Sequence, residues 1–388
     1  MSDPFIFVGA PSGSEGQHAL FAACVRHWPF DRLAAHVWVD RDDEFKIQIQ
    51  LLDRHLRFIT ALHPGRAASD AVRSQRLTVD LRYLHRPGSD RVECVLVGKA
   101  CAPEAEAARA AALELWRIVS TIMPVGFELA PAATQADFSH WAGLDIARHA
   151  DERRQWAEVR RPTEFLLWSD EALEPRFLPV VYPFRWEPNG WEVVWTALAR
   201  LDEPALISVS LRPEFISDAE ELIVSDLTRD LLEVAEEARP PLSTHAGTLA
   251  EIYQGYLRGL RTAFHTRVLV LGAPALRGAV RGALSGPAWS LDPNAPSGHH
   301  VHADVVEPTD AELPIVQTNF GYLEQEMWGP NPWGHTRLVS ILERLRYLTD
   351  AAGALSAFRL PLLPPAGLPS LTIGEEIELP PLKTEATP

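Results

Sequence analysis

Two histidines and an aspartate near residue 300 have the residue types and the spacing of a metal site. They lie in the segment Gly298–Asp304, which reads Gly-His-His-Val-His-Ala-Asp. If the segment is a strand, His300, His302 and Asp304 share one face, because successive side chains of a strand alternate. Two imidazoles and a carboxylate suit zinc or iron with an open coordination position. A metal-dependent hydrolase is therefore one alternative. Against it, a proline-rich loop precedes the segment, and histidines beside such loops usually bond to backbone or water.

A glycine-rich segment, Gly9–Gly16, follows a predicted short strand but lacks the chemistry of a phosphate loop. A Walker-type loop ends in Gly-Lys-Ser/Thr, whose lysine reaches the β- and γ-phosphates and whose hydroxyl holds magnesium. Gly9–Gly16 contains no lysine, and Glu15 would repel phosphate. The glycines at Gly272 and across Gly278–Gly286 lack the same lysine. We predict no bound nucleotide and no other cofactor.

Other catalytic patterns are also weak. No Gly-x-Ser-x-Gly elbow occurs, and Cys94 falls on a predicted apolar strand, where a thiol behaves as a small buried hydrophobe. Glu324 and Glu326 precede a loop with Trp328 and Trp333, but carboxylates so close together on one segment are more often solvated than catalytic. No catalytic residue is predicted, and the sequence favours a protein that is not an enzyme.

Length and composition indicate an ordinary globular chain. Its 388 residues, 46% of them hydrophobic, can bury a core shared by two or three domains. The cysteines, Cys24, Cys94 and Cys101, have unrelated spacings that predict neither disulfides nor a metal knuckle. There is no signal-peptide pattern and no apolar run of about 18 to 20 residues. We therefore expect a cytoplasmic protein without a membrane span.

The charge balance disfavours direct binding to nucleic acid. Asp and Glu number 52 against 36 Lys and Arg, so the formal net charge is -16 and phosphates are repelled at long range. The densest basic cluster is Arg153, Arg154, Arg160 and Arg161, which lies among acidic residues. That mixture predicts a solvent-exposed helix face with internal salt bridges.

Hydrophobic periodicity predicts the elements that must position these residues. Between residues 77 and 123 an alternating strand, a turn at Pro87–Asp90 and a returning strand form a hairpin, followed by an amphipathic helix. A second unit pairs strand Ala205–Leu211 with a helix whose start, Ser217 and Glu220, has the pattern of a capping box. A third unit runs from helix through strand Arg267–Leu271 to a short helix.

These units predict an α+β fold of two or three subdomains. The repetition is structural, since no residue period is shared. The predicted divisions are an N-terminal α+β domain at 1–135, a tryptophan-rich connecting region at 136–200, a second α+β domain at 201–360 and a flexible proline-rich tail at 361–388.

Two stretches resemble a known family. Ala357–Pro361 reads Ala-Phe-Arg-Leu-Pro, and Gly367–Pro369 reads Gly-Leu-Pro. Together with the preceding helix, this resembles the junction just before the motor domain of bacterial HerA/FtsK-like and type IV secretion ATPases. The hairpin and helix of Val79–Phe127 resemble a domain from the same non-motor region. The two stretches cover about a third of the chain.

The resemblance implies a role in assembly or docking, because ATP hydrolysis in those families occurs in the domain that follows. Walker lysine, Walker acid and arginine finger have no counterpart in this sequence, so no catalytic residue is carried over. We predict a non-catalytic accessory subunit that binds a separately encoded motor ATPase in trans through Phe358, Arg359, Leu360 and Pro361.

Three alternatives stay open beside that prediction. Phe358 and Leu360 could instead hold the tail to its own domain. The chain could be a structural subunit of a phage-like or defence assembly. It could also form a homo-oligomer.

Overall fold

The fold is described from a computed structural model, in which one twelve-stranded sheet and two two-stranded sheets are found among the described residues. The described residues are 3–11, 16–29, 32–33, 44–65, 75–89, 91–148, 156–168, 176–184, 190–287, 300–330, 343–362 and 371–379. The strands are β1 (Phe7–Gly9), β2 (Gln17–His27), β3 (Thr78–His85), β4 (Arg91–Ala102), β5 (Phe127–Pro131), β6 (Trp156–Arg160), β7 (Thr163–Trp168), β8 (Arg176–Val181), β9 (Ala205–Glu214), β10 (Ala263–Leu271), β11 (Gly286–Pro287), β12 (His300–Val301), β13 (Asp304–Val306), β14 (Leu348–Thr349), β15 (Thr372–Ile373) and β16 (Glu375–Glu376). The helices are α1 (Glu44–Ala61), α2 (Ala105–Ile122), α3 (Gln135–Trp141), α4 (Leu144–Arg148), α5 (Glu192–Ala199), α6 (Asp218–Glu237), α7 (Leu242–Gly259), α8 (Pro274–Leu284), α9 (Leu313–Tyr322) and α10 (Ala351–Ala357).

The first half of the chain forms a βαββαβ unit from β2, α1, β3, β4, α2 and β5. Its strands stand in the order β5-β2-β4-β3, and every neighbouring pair is antiparallel. Numbered within the unit, this is the order 4-1-3-2. Element sequence and strand order together are those of the ferredoxin-like fold.

The second half repeats the same topology. Its core elements are β6, α5, β9, β10, α8 and β13, and the strands stand in the order β13-β6-β10-β9. Neighbouring strands are again antiparallel. The chain therefore contains two ferredoxin-like units.

The two units share one sheet because their edge strands pair with each other. β3 of the first unit runs antiparallel to β9 of the second, from Val79 opposite Leu211 to His85 opposite Ala205. The strand order therefore reads the same outward from this junction in both directions. Because each unit covers the exposed edge of the other, neither strand is left open to pairing with another chain.

The second unit carries two insertions. The β7–β8 hairpin lies between β6 and α5, and the long helices α6 and α7 lie between β9 and β10. The hairpin and these two helices share a hydrophobic core of their own, built on Leu166, Val180, Leu231 and Leu249. The insertions thus form a satellite of the sheet.

Side-chain alternation gives the central sheet two different buried faces. In β9, Ile207, Val209 and Leu211 join the main core beneath α1, α2, α5, α8 and α10. Leu206 points the other way, into a core formed with α3, α4 and α9. Ser208 and Ser210 lie two and four residues after Leu206, so their side chains are on the same face as Leu206. Both serines are buried, so this second face combines apolar and polar groups.

Several predictions from the sequence are confirmed. The structure is α+β, and residues 77–123 form β3, β4 and α2. The capping box is present: Ser217 Oγ accepts a hydrogen bond from the Glu220 amide at 3.2 Å, and Glu220 Oε2 accepts one from the Ser217 amide at 2.8 Å. These elements were predictable because their signals are local.

The structure differs from the predicted connecting region and tail. Residues 136–200 supply β6 and α5 of the second unit, so the sheet passes through the region predicted as a connection. In the predicted tail, β15 pairs with β4 and β16 pairs with β2, so part of the tail belongs to the fold. Residues 363–370 and 380–388 of the tail lie outside the described residues.

Within the described ranges, no helix combines the length and the apolar character that a bilayer crossing needs.

Candidate functional site

Polar and charged side chains cross the second face of the sheet, from β2 at one side to β6 at the other. They are buried because α3, α4, α9 and the segment 323–330, here called the cover segment, lie over them. We call the buried polar residues of this face the row. They include His18, Thr78, Asp80, Arg82, Lys99, Glu158, Arg160, Ser208, Ser210, His265 and Arg267.

The centre of this row ties the two units together. Asp80 on β3 accepts a hydrogen bond from Arg82 Nε at 2.6 Å and from Ser208 Oγ, on β9, at 2.9 Å. Arg82 also donates to the carbonyls of Ala142 and, at 2.7 Å, Phe320. Asp80 and Arg82 thus form hydrogen bonds with other groups of the chain, as expected for a buried network with a structural role.

The β6 end of the row holds the cover segment in place. Arg160 Nη2 lies 3.0 Å from Glu158 Oε2 and donates to the Trp328 carbonyl at 2.8 Å. Arg267 Nη2 donates to the Glu326 carbonyl at 2.7 Å. Burial alone would lower the pKa of Arg160, but the Glu158 carboxylate raises it above its usual value. The Arg160 guanidinium therefore stays charged, and both arginines hold the cover segment through its carbonyls.

The β2 end of the row has a different composition, with an imidazole, a thiol and a carboxylate close together. His18 on β2 and Cys101 on β4 are directly opposite each other in the antiparallel register. Glu324 of the cover segment completes the group, and one donor atom from each residue lies within 4.8 Å of the others. Lys99 Nζ donates to Glu324 Oε1 at 3.0 Å. We call His18, Cys101 and Glu324 the donor cluster.

Burial sets the protonation states in the donor cluster. Burial lowers the pKa of His18, and the Lys99 ammonium adds to that effect. Burial raises the pKa of the Cys101 thiol. Burial would also raise the pKa of Glu324, but the hydrogen-bonded Lys99 ammonium holds it below its usual value. At neutral pH the donor cluster therefore holds a neutral imidazole and a thiol beside the Glu324 carboxylate, which accepts a hydrogen bond from Lys99.

The metal candidates from the sequence stay a prediction, because only His302 and Asp304 have described side chains. The His302 side chain is exposed, while Asp304 is partly buried and accepts a hydrogen bond from Thr163 Oγ1 at 3.2 Å. His300 lies on the short strand β12, and its side chain falls outside the description. Among the described side chains, the donor cluster is the one group of metal-ligand type, and it includes neither His302 nor Asp304.

The predicted contact segment lies inside the fold. Phe358, Arg359, Leu360 and Pro361 are all buried, and the Phe358 ring lies 6.4 Å from the ring of Phe58 on α1. This packing agrees with the alternative in which these side chains hold the C-terminal segment to its own domain. Docking in trans through them would require the segment to leave this packing, and it stays a prediction.

The predicted solvent-exposed basic face is wrong for the residues that are described. Arg160 and Arg161 are both buried, at the end of β6 rather than on a helix. Arg161 Nε donates to the Tyr182 carbonyl at 2.9 Å and Nη1 donates to the Leu345 carbonyl at 2.8 Å. Carbonyls distant in the sequence are thus partners of Arg161, while Arg160 pairs with the nearby acid Glu158 and with the distant Trp328 carbonyl. Arg153 and Arg154 lie outside the described residues.

The remaining sequence candidates are placed as follows. Cys94 is buried, and burial raises the pKa of its thiol well above the usual value. Trp328 is buried under the sheet rather than exposed. Glu324 belongs to the donor cluster, while the contacts of Glu326 to the row are made by its backbone carbonyl. Residues 12–15 of the glycine-rich segment lie outside the described residues.

An outward-facing surface of α6 is the second candidate site. Helix α6 carries eight acidic residues and one basic residue. Leu222 and Leu232 are 62% and 39% exposed on this acidic helix. The exposed positions recur at helical spacing, and we call them the α6 outer face: Asp218, Leu222, Ser225, Arg229, Leu232 and Glu236.

A surface groove lies beside Leu222, between α6 and α7. Its volume is about 810 Å³, and its lining combines Leu222 and Leu257 with two acids and two arginines. Arg261 Nη2 lies 3.2 Å from Glu221 Oε1 at this groove. The groove beside the α6 outer face therefore combines two leucines with charged groups, a composition that suits a protein interface.

The chain matches no protein-family model, and comparison with curated proteins finds no match. Function is therefore inferred from the geometry and sequence of the chain itself.

Proposed function

We propose that this chain is a non-catalytic accessory subunit that docks onto a separately encoded motor ATPase of the HerA/FtsK-like or type IV secretion type. The proposal takes the partner class from the sequence resemblance in Val79–Phe127 and Leu345–Leu371. It takes the contact surface from the α6 outer face. The motor would act on DNA or a secreted substrate in the cytoplasm, and this chain would hold it in an assembly.

The observation that carries the proposal is the pairing of exposed leucines with acidic charge on α6. Eight acidic residues against one basic residue give this helix a net charge of -7, close to half of the chain's -16. An exposed leucine on such a surface gains free energy only when a partner covers it, by about 25 cal/mol per Å² of apolar area. A partner with a basic surface and an apolar recess fits both features.

The position of α6 in the fold supports docking. The helix belongs to an insertion with its own core, between two strands of the second unit. A partner bound to its outer face would leave the shared sheet and its buried polar row undisturbed. The two fused units would then act as a rigid base for the contact.

Co-purification tests the proposal. The chain is expressed with a tag, together with a HerA/FtsK-like ATPase, and the eluate is examined for both proteins at low and high salt. We expect both proteins to elute together at low salt and less ATPase as salt rises, because exposed charges are screened. An absence of ATPase under every nucleotide and salt condition would contradict the proposal.

A matched pair of variants locates the contact. Leu222→Asp places a charge on the α6 outer face beside the groove, and Val193→Asp makes the same change at a 65% exposed position on α5. We expect Leu222→Asp to weaken association by roughly tenfold or more, as for an interface residue that carries much of the binding energy. Equal effects of the two variants would exclude the α6 outer face as the contact.

A further inference from the structure

We propose that the donor cluster, His18, Cys101 and Glu324, is a binding site for a divalent cation of the zinc class. This site is separate from the α6 outer face and does not depend on the docking proposal. The three residues come from β2, β4 and the cover segment, so a bound cation would link the sheet to its cover.

The donor set fits zinc better than the hard cations. Zinc accepts thiolate sulfur, imidazole nitrogen and carboxylate oxygen in one tetrahedral site, whereas calcium and magnesium prefer oxygen alone. Zinc bonds of about 2.0 to 2.3 Å place tetrahedral ligands roughly 3.3 to 3.8 Å apart. The present donors lie within 4.8 Å of one another, so small side-chain shifts would close the site.

An unused donor atom points into the donor cluster. His18 is almost fully buried, and its Nδ1 lies 3.2 Å from Glu324 Oε1. The contact lacks hydrogen-bond geometry, so Nδ1 has no hydrogen-bond partner among the described residues. A buried imidazole nitrogen without a hydrogen bond costs free energy, and a metal bond would remove that cost.

Backbone pairing fixes two of the three ligands. His18 and Cys101 face each other across neighbouring antiparallel strands, which holds their Cβ atoms about 4.5 to 5.5 Å apart. Glu324 follows Leu323, which caps the C-terminal end of α9 in the left-handed backbone conformation. The side chain of Glu324 is 19% exposed. The third ligand therefore comes from the side of the site that solvent can reach.

Binding would release one proton. The Cys101 Sγ–H bond is replaced by an Sγ–metal bond, and the proton passes to solvent, while His18 binds as the neutral imidazole. No oxidant or reductant takes part. Lys99 opposes the cation by its charge and donates to Glu324 Oε1, the oxygen nearest His18, so it competes with the metal for this carboxylate.

Cobalt titration tests the site with the full chain. The protein is stripped with a chelator and titrated with Co²⁺, and the thiolate-to-cobalt charge-transfer absorption is followed before displacement by Zn²⁺. We expect one equivalent of Co²⁺ to produce the absorption. Cys101→Ala should abolish this absorption. Cys24→Ala removes a different buried thiol, on β2, and should leave the absorption unchanged.

Two further variants leave the cross-strand pair of His18 and Cys101 unchanged. Glu324→Gln on the cover segment should weaken Co²⁺ binding by roughly tenfold or more. Lys99→Met should tighten binding by roughly tenfold, because it removes a buried like charge next to the cation. If Cys101→Ala fails to fold, these two variants decide the question.

The proposal is overturned if Co²⁺ gives no charge-transfer absorption with the wild-type chain. It is equally overturned if the absorption persists in Cys101→Ala or disappears in Cys24→Ala. Unchanged affinity in both Glu324→Gln and Lys99→Met would also show that the cation binds elsewhere.

Discussion

Asp80→Asn is the substitution that most directly probes the junction of the two units. Asp80 is fully buried on β3 and accepts hydrogen bonds from Arg82 Nε at 2.6 Å and from Ser208 Oγ at 2.9 Å. Asparagine keeps the shape of the side chain but removes its charge. The Arg82 guanidinium would then remain buried without a counter-charge at its Nε.

The expected cost follows from the burial of both partners. Removing one partner of a buried ion pair typically costs about 3 to 5 kcal/mol, because the other charge stays desolvated. Asp53→Asn on α1 is the control: it breaks an i,i+4 pair with Arg57 whose side chains are 50% and 79% exposed. An exposed pair of this kind contributes about 0.3 to 0.5 kcal/mol.

Urea unfolding, followed by tryptophan fluorescence and circular dichroism, measures both changes. We expect Asp80→Asn to lower the unfolding midpoint markedly and Asp53→Asn to leave it almost unchanged. Adding Arg82→Met to Asp80→Asn should restore part of the loss, because it removes the isolated charge. If the two single variants differ by less than about 1 kcal/mol, the buried network does not hold the units together as described.

Three smaller predictions concern pH, packing and capping. Burial lowers the pKa of His55 to about 3, so below about pH 6.5 the unfolded chain binds a proton that the folded protein excludes. The free energy of unfolding should therefore fall by up to ~1.4 kcal/mol for each unit that the pH is lowered, and His55→Phe should reduce that slope. A Cβ at Gly98 would lie 2.2 Å from the buried Phe21 ring, so Gly98→Ala should lower the free energy of unfolding by about 1 to 3 kcal/mol. In α8 a Cβ at Gly278 would meet open space, so Gly278→Ala should be neutral or stabilising. Thermal unfolding measures both changes. Ser217→Ala should cost about 1 kcal/mol in urea unfolding, and Ser225→Ala, at an exposed position of the same helix, should cost almost nothing.

Each of these predictions has a contrary result. An identical pH slope in wild type and His55→Phe would show that this imidazole is not excluded from protonation. A tolerated Gly98→Ala would mean that the strand and the ring beneath it can move apart. Equal losses from the two serine variants would remove the capping box as the reason that α6 begins at Asp218.

The predictable part of the fold is the part with local signals. Strand alternation in β3 and β4 and the capping box at Ser217 report on neighbouring residues, and these elements were placed correctly. The double βαββαβ topology was not predicted, since it depends on pairing β3 with β9, and the insertion α6–α7 hides the second unit's hairpin. Strand pairing over such distances leaves no pattern in a single sequence.

The candidate site shows the same limit. Charge content predicted that Arg160 and Arg161 would be exposed, but carbonyls from other parts of the chain accept their hydrogen bonds and allow burial. His18 and Cys101 meet only because β2 pairs with β4, and Glu324 joins them through the cover segment. The cross-strand pair of His18 and Cys101 can be recognised only when the register between β2 and β4 is known.

The central claim is that the outer face of the acidic helix α6 binds a motor ATPase, and isothermal titration tests it most directly. A HerA/FtsK-like ATPase is titrated into the wild-type protein, Leu222→Asp and Val193→Asp at low and high salt. We predict saturable binding to the wild type that weakens with salt, a loss of affinity in Leu222→Asp and none in Val193→Asp. No binding heat with the wild-type chain at either salt concentration, or affinity that Leu222→Asp leaves intact, would contradict the claim.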